Sequence, residues 1–584
     1  MHRFRVWAPK AGRVRVEAAG KKYPLARGAG GWWQADVDAA APGSDYAYFL
    51  DDEDLALPDP RSLWQPHGVH GPSRLFDPAA FPWSDGGWEA PPLASGIVYE
   101  LHIGTFTPEG TLDAARTKLE ALRSLGVTHV ELMPVNAFAG RHGWGYDGVD
   151  LFAVHEPYGG PEALLRFVDA CHAQGLAVLL DVVYNHLGPS GNYLGKFGPY
   201  FTASHHTPWG DAVNLEDAGS YEVRRFFCDN ALMWLRDYHF DGLRLDAVHA
   251  YMDRSAIHFT EQMAAEVRAL EAQTGRHYAV IAESDLNDPR LVTAPEAGGY
   301  GIDAQWSDDF HHALVTVLTG MREGYYEDFG TLADLAKALR DVFVYDGRYS
   351  AYRDRVHGRP VLGLPGWRFL GYSQNHDQVG NRAKGERLVH LAGIGRAKIA
   401  AALTLTAPFV PLLFQGEEWA ASSPFQFFTD HEKELGKLVS AGRKNEFAAF
   451  GWNPEIIPDP QARETYELSK LHWDERDQGQ HAEMLAWYRD LIALRNATPD
   501  LVDGDLRAVE VRYSEAERWF VLERGRVTVA FSLAAAPVQI AVNAGLRIAV
   551  ASAESRYQAI AGGEADLLLA PDGVAVLVVD DPGL

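Results

Sequence analysis

Residues 242–250 read "GLRLDAVHA", and the first half of this run has the length and apolar content of a short parallel β-strand covered on both faces. Successive side chains of a strand point to opposite faces, so Leu243 and Leu245 share one face while Arg244 and Asp246 share the other. A cation and an anion therefore stand together where packing alone would place hydrocarbon, and such a local violation marks a candidate site.

Strands of the same kind recur on either side: "IVYELHI", "THVELMPV" and "AVLLDVVYN" before it, "YAVIAES", "GIDAQW", "FLGYSQN" and "PFVPLLFQG" after it. Amphipathic helices separate them. Val223, Phe227, Ala231, Trp234, Leu235 and Tyr238, for example, form one stripe just before "FDGLRLDA". Eight strands alternating with helices predict an α/β fold, a (β/α)8 TIM barrel over 95–498, rather than an open sheet. Residues 1–85 alternate with period two between Gly and Pro turns, which predicts an immunoglobulin-like β-sandwich of the carbohydrate-binding-module kind. The segment 72–96, rich in Pro, Gly and Ser, reads as a linker, and alternation returns in 499–584 as a C-terminal antiparallel β-sandwich domain. Two long connections, His186–Ser220 and Trp419 to about Gln480, are candidates for loops that shape a substrate site.

The chain has 584 residues, 47% hydrophobic and 23% charged, as in a well-packed multidomain protein. Its 79 acidic against 53 basic residues leave a net charge of −26, which argues against nucleic acid and anionic membranes as partners. The two cysteines, Cys171 and Cys228, fall in helix patterns and read as buried small hydrophobes rather than a disulfide framework. "MHRFRVWAPK" lacks the layout of a signal peptide, and no apolar run approaches the roughly 18 residues of a membrane span, so a cytoplasmic location is expected.

Polar residues gather at the C-terminal ends of the strands: Asp181, Asn185 and His186 in "DVVYNH", Arg244 and Asp246, Glu283 in "AES", and His376 and Asp377 in "SQNHD". In a parallel barrel those ends surround one mouth. Each signal alone is weak, since a lone strand-end Asp is commonly a helix cap; their ordered joint occurrence carries the argument. Cleavage of a glycosidic bond needs an ionised carboxylate at the sugar carbon and a protonated one at the leaving oxygen. Arg244, two residues from Asp246 on the same face, favours the ionised form and makes Asp246 the nucleophile candidate. Glu283, with no neighbouring cation in sequence, is the candidate general acid and then base. His186, Asp181, His376 and Asp377 are possible metal ligands, but no HExxH, CxxC or EF-hand spacing occurs, so neither a metal nor another cofactor is expected. Nor is there a GxSxG elbow or a Walker loop.

The ordered set "DVVYNH", "GLRLDAVH", "IAES" and "NHD" resembles the four signature regions of the α-amylase superfamily, glycoside hydrolase family 13. The resemblance implies a retaining mechanism with Asp246 as nucleophile, Glu283 as acid/base and Asp377 gripping sugar hydroxyls, with His186, Arg244 and His376 around the scissile sugar. Further stretches, "HGWGYDGVD", "DAQWSDDFHHAL" and "PFQFFTDHEKEL" among them, are similar over nearly the whole chain to a trehalose-releasing group of that family. Its members hydrolyse the α-1,4 bond next to the terminal trehalose of maltooligosyl trehalose, leaving a shorter maltooligosaccharide, downstream of a maltooligosyltrehalose synthase. On this resemblance Tyr146 stacks on the scissile glucose and His249 takes a leaving-group position. Asp308, Asp309, His311, His312, Gln378 and Asn381 are then expected substrate contacts. Asn185 matches an asparagine that ligates calcium in some amylases, but their calcium-binding insertion is not evident, and calcium is not expected. Two rival readings use the same residues: a glycogen branching enzyme, which transfers the glycosyl unit instead of hydrolysing it, and an inactive glucan-binding barrel.

Overall fold

A computed structural model describes residues 1–446, 454–552, 555–559 and 564–580. Eight parallel strands, β1 (Val98–Leu101), β2 (His129–Leu132), β3 (Ala177–Val182), β4 (Gly242–Leu245), β5 (Ala279–Ala282), β6 (Ala304–Trp306), β7 (Phe369–Gly371) and β8 (Val410–Phe414), pair in chain order and close into a barrel. The side-chain alternation sorts them cleanly. Leu179, Ile281, Trp306, Leu370 and Leu412 cluster inside the ring, while Val130, Leu180, Leu243, Leu245 and Val280 belong to the core shared with the outer helices. Glu100 stands opposite Glu131 across β1 and β2, and Asp181 opposite Arg244 across β3 and β4, so charges enter the interior at matched levels. The striped helix spans Ser220–Asp237 and buries Val223, Phe227, Ala231, Trp234 and Leu235 as its spacing predicts.

Upstream of the barrel, a three-stranded and a four-stranded antiparallel sheet enclose Phe4, Val6, Val14, Val16 and Tyr48. Downstream, a five-stranded and a three-stranded sheet enclose Val521, Ala530, Ile540, Val542 and Leu567. The last positions assigned to that C-terminal domain, 581–584, lie outside the described residues. The Pro- and Gly-rich segment 72–96 is no free tether. Trp88 donates through Nε1 to Asp241 at 2.7 Å and stacks on His172 at 4.6 Å, and the Asp85 carboxylate accepts from Arg276 at 2.7 Å. Cys171 and Cys228 are free and buried.

The helix Leu388–Thr406 corrects the reading that no apolar run reaches membrane-span length: its 19 residues suffice for a span by length and composition. Gly393 (φ 79°, ψ 170°) interrupts it, and Arg396 leaves its surface to donate to Asp572 at 2.9 Å. The rest packs on the helix Gly479–Ala497 and on C-terminal strands Val527–Ser532 and Val574–Val579. Two buried guanidiniums close its C-terminal end. Arg495 donates to the carbonyls of Leu405 at 2.9 Å and Phe409 at 3.0 Å, and Arg524 to those of Thr406 at 3.1 Å and Ala407 at 2.9 Å. Those of Leu405 and Thr406 are among the carbonyls that a helix end leaves without intrahelical partners.

Candidate active site

At the C-terminal end of β4 the chain turns sharply. Ala247 adopts a left-handed conformation (φ 40°, ψ 51°), costly for a residue with a Cβ, and its N–H donates to Glu283 Oε2 at 2.6 Å. The strained residue thus aims a donor at the carboxylate of the neighbouring strand. Arg244 is wholly buried beneath: Nη1 donates to both oxygens of Asp181 at 2.9 Å and to Asp246 Oδ1 at 2.7 Å, and Nη2 lies 3.3 Å from Glu283 Oε2. The guanidinium lies over the Trp306 ring, 4.3 Å from its centroid. Glu283, with no neighbouring cation in sequence, has one in space. Arg244 reaches it across the β4–β5 boundary, which spacing along one strand cannot reveal.

A second chain of contacts crosses the mouth. The Tyr146 hydroxyl donates to Asp181 Oδ2 at 2.6 Å and lies 2.7 Å from His376 Nε2, the two rings stacking 5.0 Å apart. On the far side, Glu100 receives the His376 backbone N–H at 2.9 Å and faces its Nδ1 at 2.5 Å. Burial works against the charged form of His376, but Glu100 and Asp377 outweigh it and push the ring up to about 9. Burial pushes Asp181 up to about 7 against the pull of Arg244, and it raises Asp377 as well. Asp377 Oδ1 accepts from Asn381 at 3.1 Å, whose own Oδ1 accepts from Arg443 at 2.9 Å.

These groups open on a cavity of about 480 Å³ lined by Tyr146, His186, Asp246, His249, Glu283, His376, Asp377 and Asn381. The backbone N–H of Asp285 donates to His249 Nδ1 at 3.3 Å, an acceptor role that leaves the ring proton on Nε2. Trp144, Asp147, Trp209, Phe427 and Arg443 also line the wall, and sequence reasoning does not single them out. Trp209 sits at the tip of the hairpin Phe201–Thr207/Gly210–Val213, 47% exposed, with its ring 4.6 Å from that of His186 and nearly parallel to it. The turn "TPWG", with a large aromatic where a polar residue is usual, was the available signal.

Five expected substrate contacts lie elsewhere. Asp308 accepts from the Tyr372 hydroxyl, and burial pushes it up to about 7. Asp309 accepts from the N–H groups of Val344 at 2.6 Å and Tyr345 at 2.8 Å and from Asn287 at 2.9 Å, fixing a turn. His311 Nδ1 donates to the Ser373 carbonyl at 2.9 Å, and His312 stacks on Tyr325 at 5.0 Å. Gln378 accepts from Tyr326 at 3.3 Å. None of the five lines the cavity. "DDFHH" opens the helix Asp308–Thr319, in which every residue from Asp309 to Leu318 is buried, so it is packed beneath the rim rather than displayed on it. Among the described residues, no group of three or more His, Cys, Asp and Glu side chains is gathered to hold a metal ion.

The closed barrel and its carboxylate-lined cavity define a glycoside hydrolase of the alpha-amylase type. The profile "Alpha amylase, catalytic domain" matches residues 77–203. The malto-oligosyltrehalose trehalohydrolase of Rhizobium sp. (strain M-11) is 51% identical over 547 residues, 92% of each chain, and on that similarity the chain belongs to the malto-oligosyltrehalose trehalohydrolase family. A crystal structure of a Salmonella typhimurium protein described as an alpha amylase superposes with a TM-score of 0.90 at 37% identity, covering 99% of this chain and 97% of the other. A 1,4-alpha-glucan branching enzyme of Corynebacterium jeikeium (strain K411) is more distant, 28% identical over 71% of this chain and 60% of its own.

Proposed function

We propose that the enzyme hydrolyses the α-1,4-glucosidic bond next to the terminal trehalose of maltooligosyl trehalose, releasing trehalose and a shorter maltooligosaccharide with retention. The observation that carries this is the unequal hold of the buried Arg244 on two carboxylates of one open cavity: Nη1 donates to Asp246 at 2.7 Å, whereas Nη2 stands 3.3 Å from Glu283 and makes no hydrogen bond. Asp246, held by Arg244, attacks the anomeric carbon as a carboxylate, while Glu283 gives its proton to the departing glycosidic oxygen. Water then enters, Glu283 takes its proton, and the Asp246 ester is released as the free sugar. Asp377, facing the same cavity, binds sugar hydroxyls, with His376 beside it at 3.6 Å. His249 Nε2 is a donor suited to the leaving sugar. We further propose that the enzyme acts in the cytoplasm on the product of a maltooligosyltrehalose synthase, with units at 1–85, 95–498 and 499–584.

Incubation with maltopentaosyl trehalose tests the reading: free trehalose and new reducing ends appear together. Branched glucan without net hydrolysis would instead assign the chain to transfer. Trp209 offers a flat apolar face at the cavity edge, and its loss as Trp209→Ala costs stacking of about 0.5–1.5 kcal/mol. The expected result is a KM about 2- to 10-fold higher with kcat little changed, read from initial rates.

A further inference from the structure

We propose that Glu100, on the first barrel strand, is a positioning residue for the hydrolysis: it holds His376 as the doubly protonated imidazolium, while Glu131 beside it stays a neutral acid. The inference rests on the hydrolytic reading of the site, and its own argument is one of hydrogen-bond polarity. A hydroxyl has a single proton to give. At pH 8, above the value to which burial pushes Asp181, both Asp181 oxygens accept from Arg244 and Tyr146 gives its proton to Oδ2 at 2.6 Å, so toward His376, at 2.7 Å, it only accepts, and Nε2 carries a proton. At the other ring nitrogen, Glu100 Oε1 faces Nδ1 at 2.5 Å while Oε2 receives the His376 backbone N–H at 2.9 Å. Glu100 thus meets donors with both oxygens, and the ring carries a proton on each nitrogen.

The surroundings supply the charge balance. Glu100 and His376 are sealed from solvent, and Asp377 Oδ1 stands 3.6 Å from Nε2. Arg244 opposes a second cation nearby, whereas burial drives His102, at the end of β1, down to about 3 and so leaves it neutral. Glu131 lies directly across from Glu100 in the β1–β2 register, fully buried, with no hydrogen bond to either oxygen. Burial and the adjacent Glu100 push its acid well up. An unpaired second anion there would be expensive, so Glu131 keeps its proton and leaves Glu100 as the one counter-charge behind His376. The chemical return is twofold: the imidazolium pins the Tyr146 ring against the cavity, and it sets a fixed positive charge beside Asp377.

Ring-nitrogen NMR of the unliganded full-length enzyme, with the His376 signals assigned by their loss in His376→Gln, tests this without substrate. Both ring nitrogens should be protonated at pH 8, and a neutral ring there overturns the proposal. In Glu100→Gln the midpoint should fall by about one to three units, as expected on losing an adjacent opposite charge. A smaller fall overturns the assignment to Glu100, and a kcat/KM alkaline limb that moves with the midpoint ties it to catalysis. Glu131→Gln, which mimics a neutral acid, should leave the midpoint in place; a downward move overturns the neutral form. If Glu100→Gln fails to fold, the wild-type titration still decides. Failure of the wild-type enzyme to release trehalose would strike the hydrolytic reading alone.

Discussion

Glu283→Gln lowers kcat on maltooligosyl trehalose by about 10²–10⁴-fold, the range for removing a positioned general acid. The substitution keeps an oxygen that can accept the Ala247 N–H, now held at 2.6 Å, and so leaves the turn after Asp246 supported. What it removes is the proton for the leaving oxygen. A donor whose leaving group is fluoride departs without that proton, so the first turnover of maltosyl fluoride survives in the variant. The second step, which needs the same residue as base, becomes slow, and the result is a burst equal to the enzyme concentration. Equal losses on both substrates would deny Glu283 the acid role; unchanged turnover of the natural substrate would deny it any role and revive the inactive-barrel reading.

Arg244→Met destabilises the fold by about 3–5 kcal/mol, the cost of removing one partner from a buried ion pair, and abolishes measurable turnover. The guanidinium contacts three carboxylates from three strands, Asp181, Asp246 and Glu283, and is itself fully buried. Without it those carboxylates face one another in a medium that solvates them poorly. Protonation is their remaining outlet, and a protonated Asp246 is no nucleophile. Arg244→Lys should recover part of the stability but little activity, because a single ammonium cannot reproduce a planar fork set against three acceptors and the Trp306 ring. Urea unfolding followed by tryptophan fluorescence reads the stability change. A loss below about 1 kcal/mol would mean that the cluster is neutralised by other means.

The barrel was legible because its strands are short, apolar and evenly interleaved with helices, and because Leu243 and Leu245 obey period two while Arg244 and Asp246 break it on one face only. The same rule was available at Glu100 in "YELH" and Glu131 in "HVEL", each a lone charge on an inward face. Their significance was hidden because the partner that explains Glu100 is His376, 276 residues away. The rim was read less well. "DDFHH" has the polarity of a loop, yet its two carboxylates and two histidines are taken up by turn N–H groups, a hydroxyl, a backbone carbonyl and an aromatic ring under the surface. Trp209 went the other way, an aromatic that local composition assigns to packing but that a hairpin carries to the cavity edge. The span-length apolar helix was missed because Gly393, Arg396 and Lys398 punctuate it in sequence, while in space its apolar length is absorbed between the barrel and the C-terminal sheet.

The two guanidiniums at the end of that helix come from different places, Arg495 from the last barrel helix and Arg524 from a C-terminal strand. Arg524 also binds the Leu501 carbonyl at 3.2 Å, so a single side chain ties three stretches of backbone together at the foot of β8. A version trimmed after the last barrel helix would keep Arg495 but lose Arg524 from the Thr406 and Ala407 carbonyls, and would bare the apolar side of Leu388–Thr406 at the same time. The C-terminal sheet is in this sense a retaining wall for the barrel.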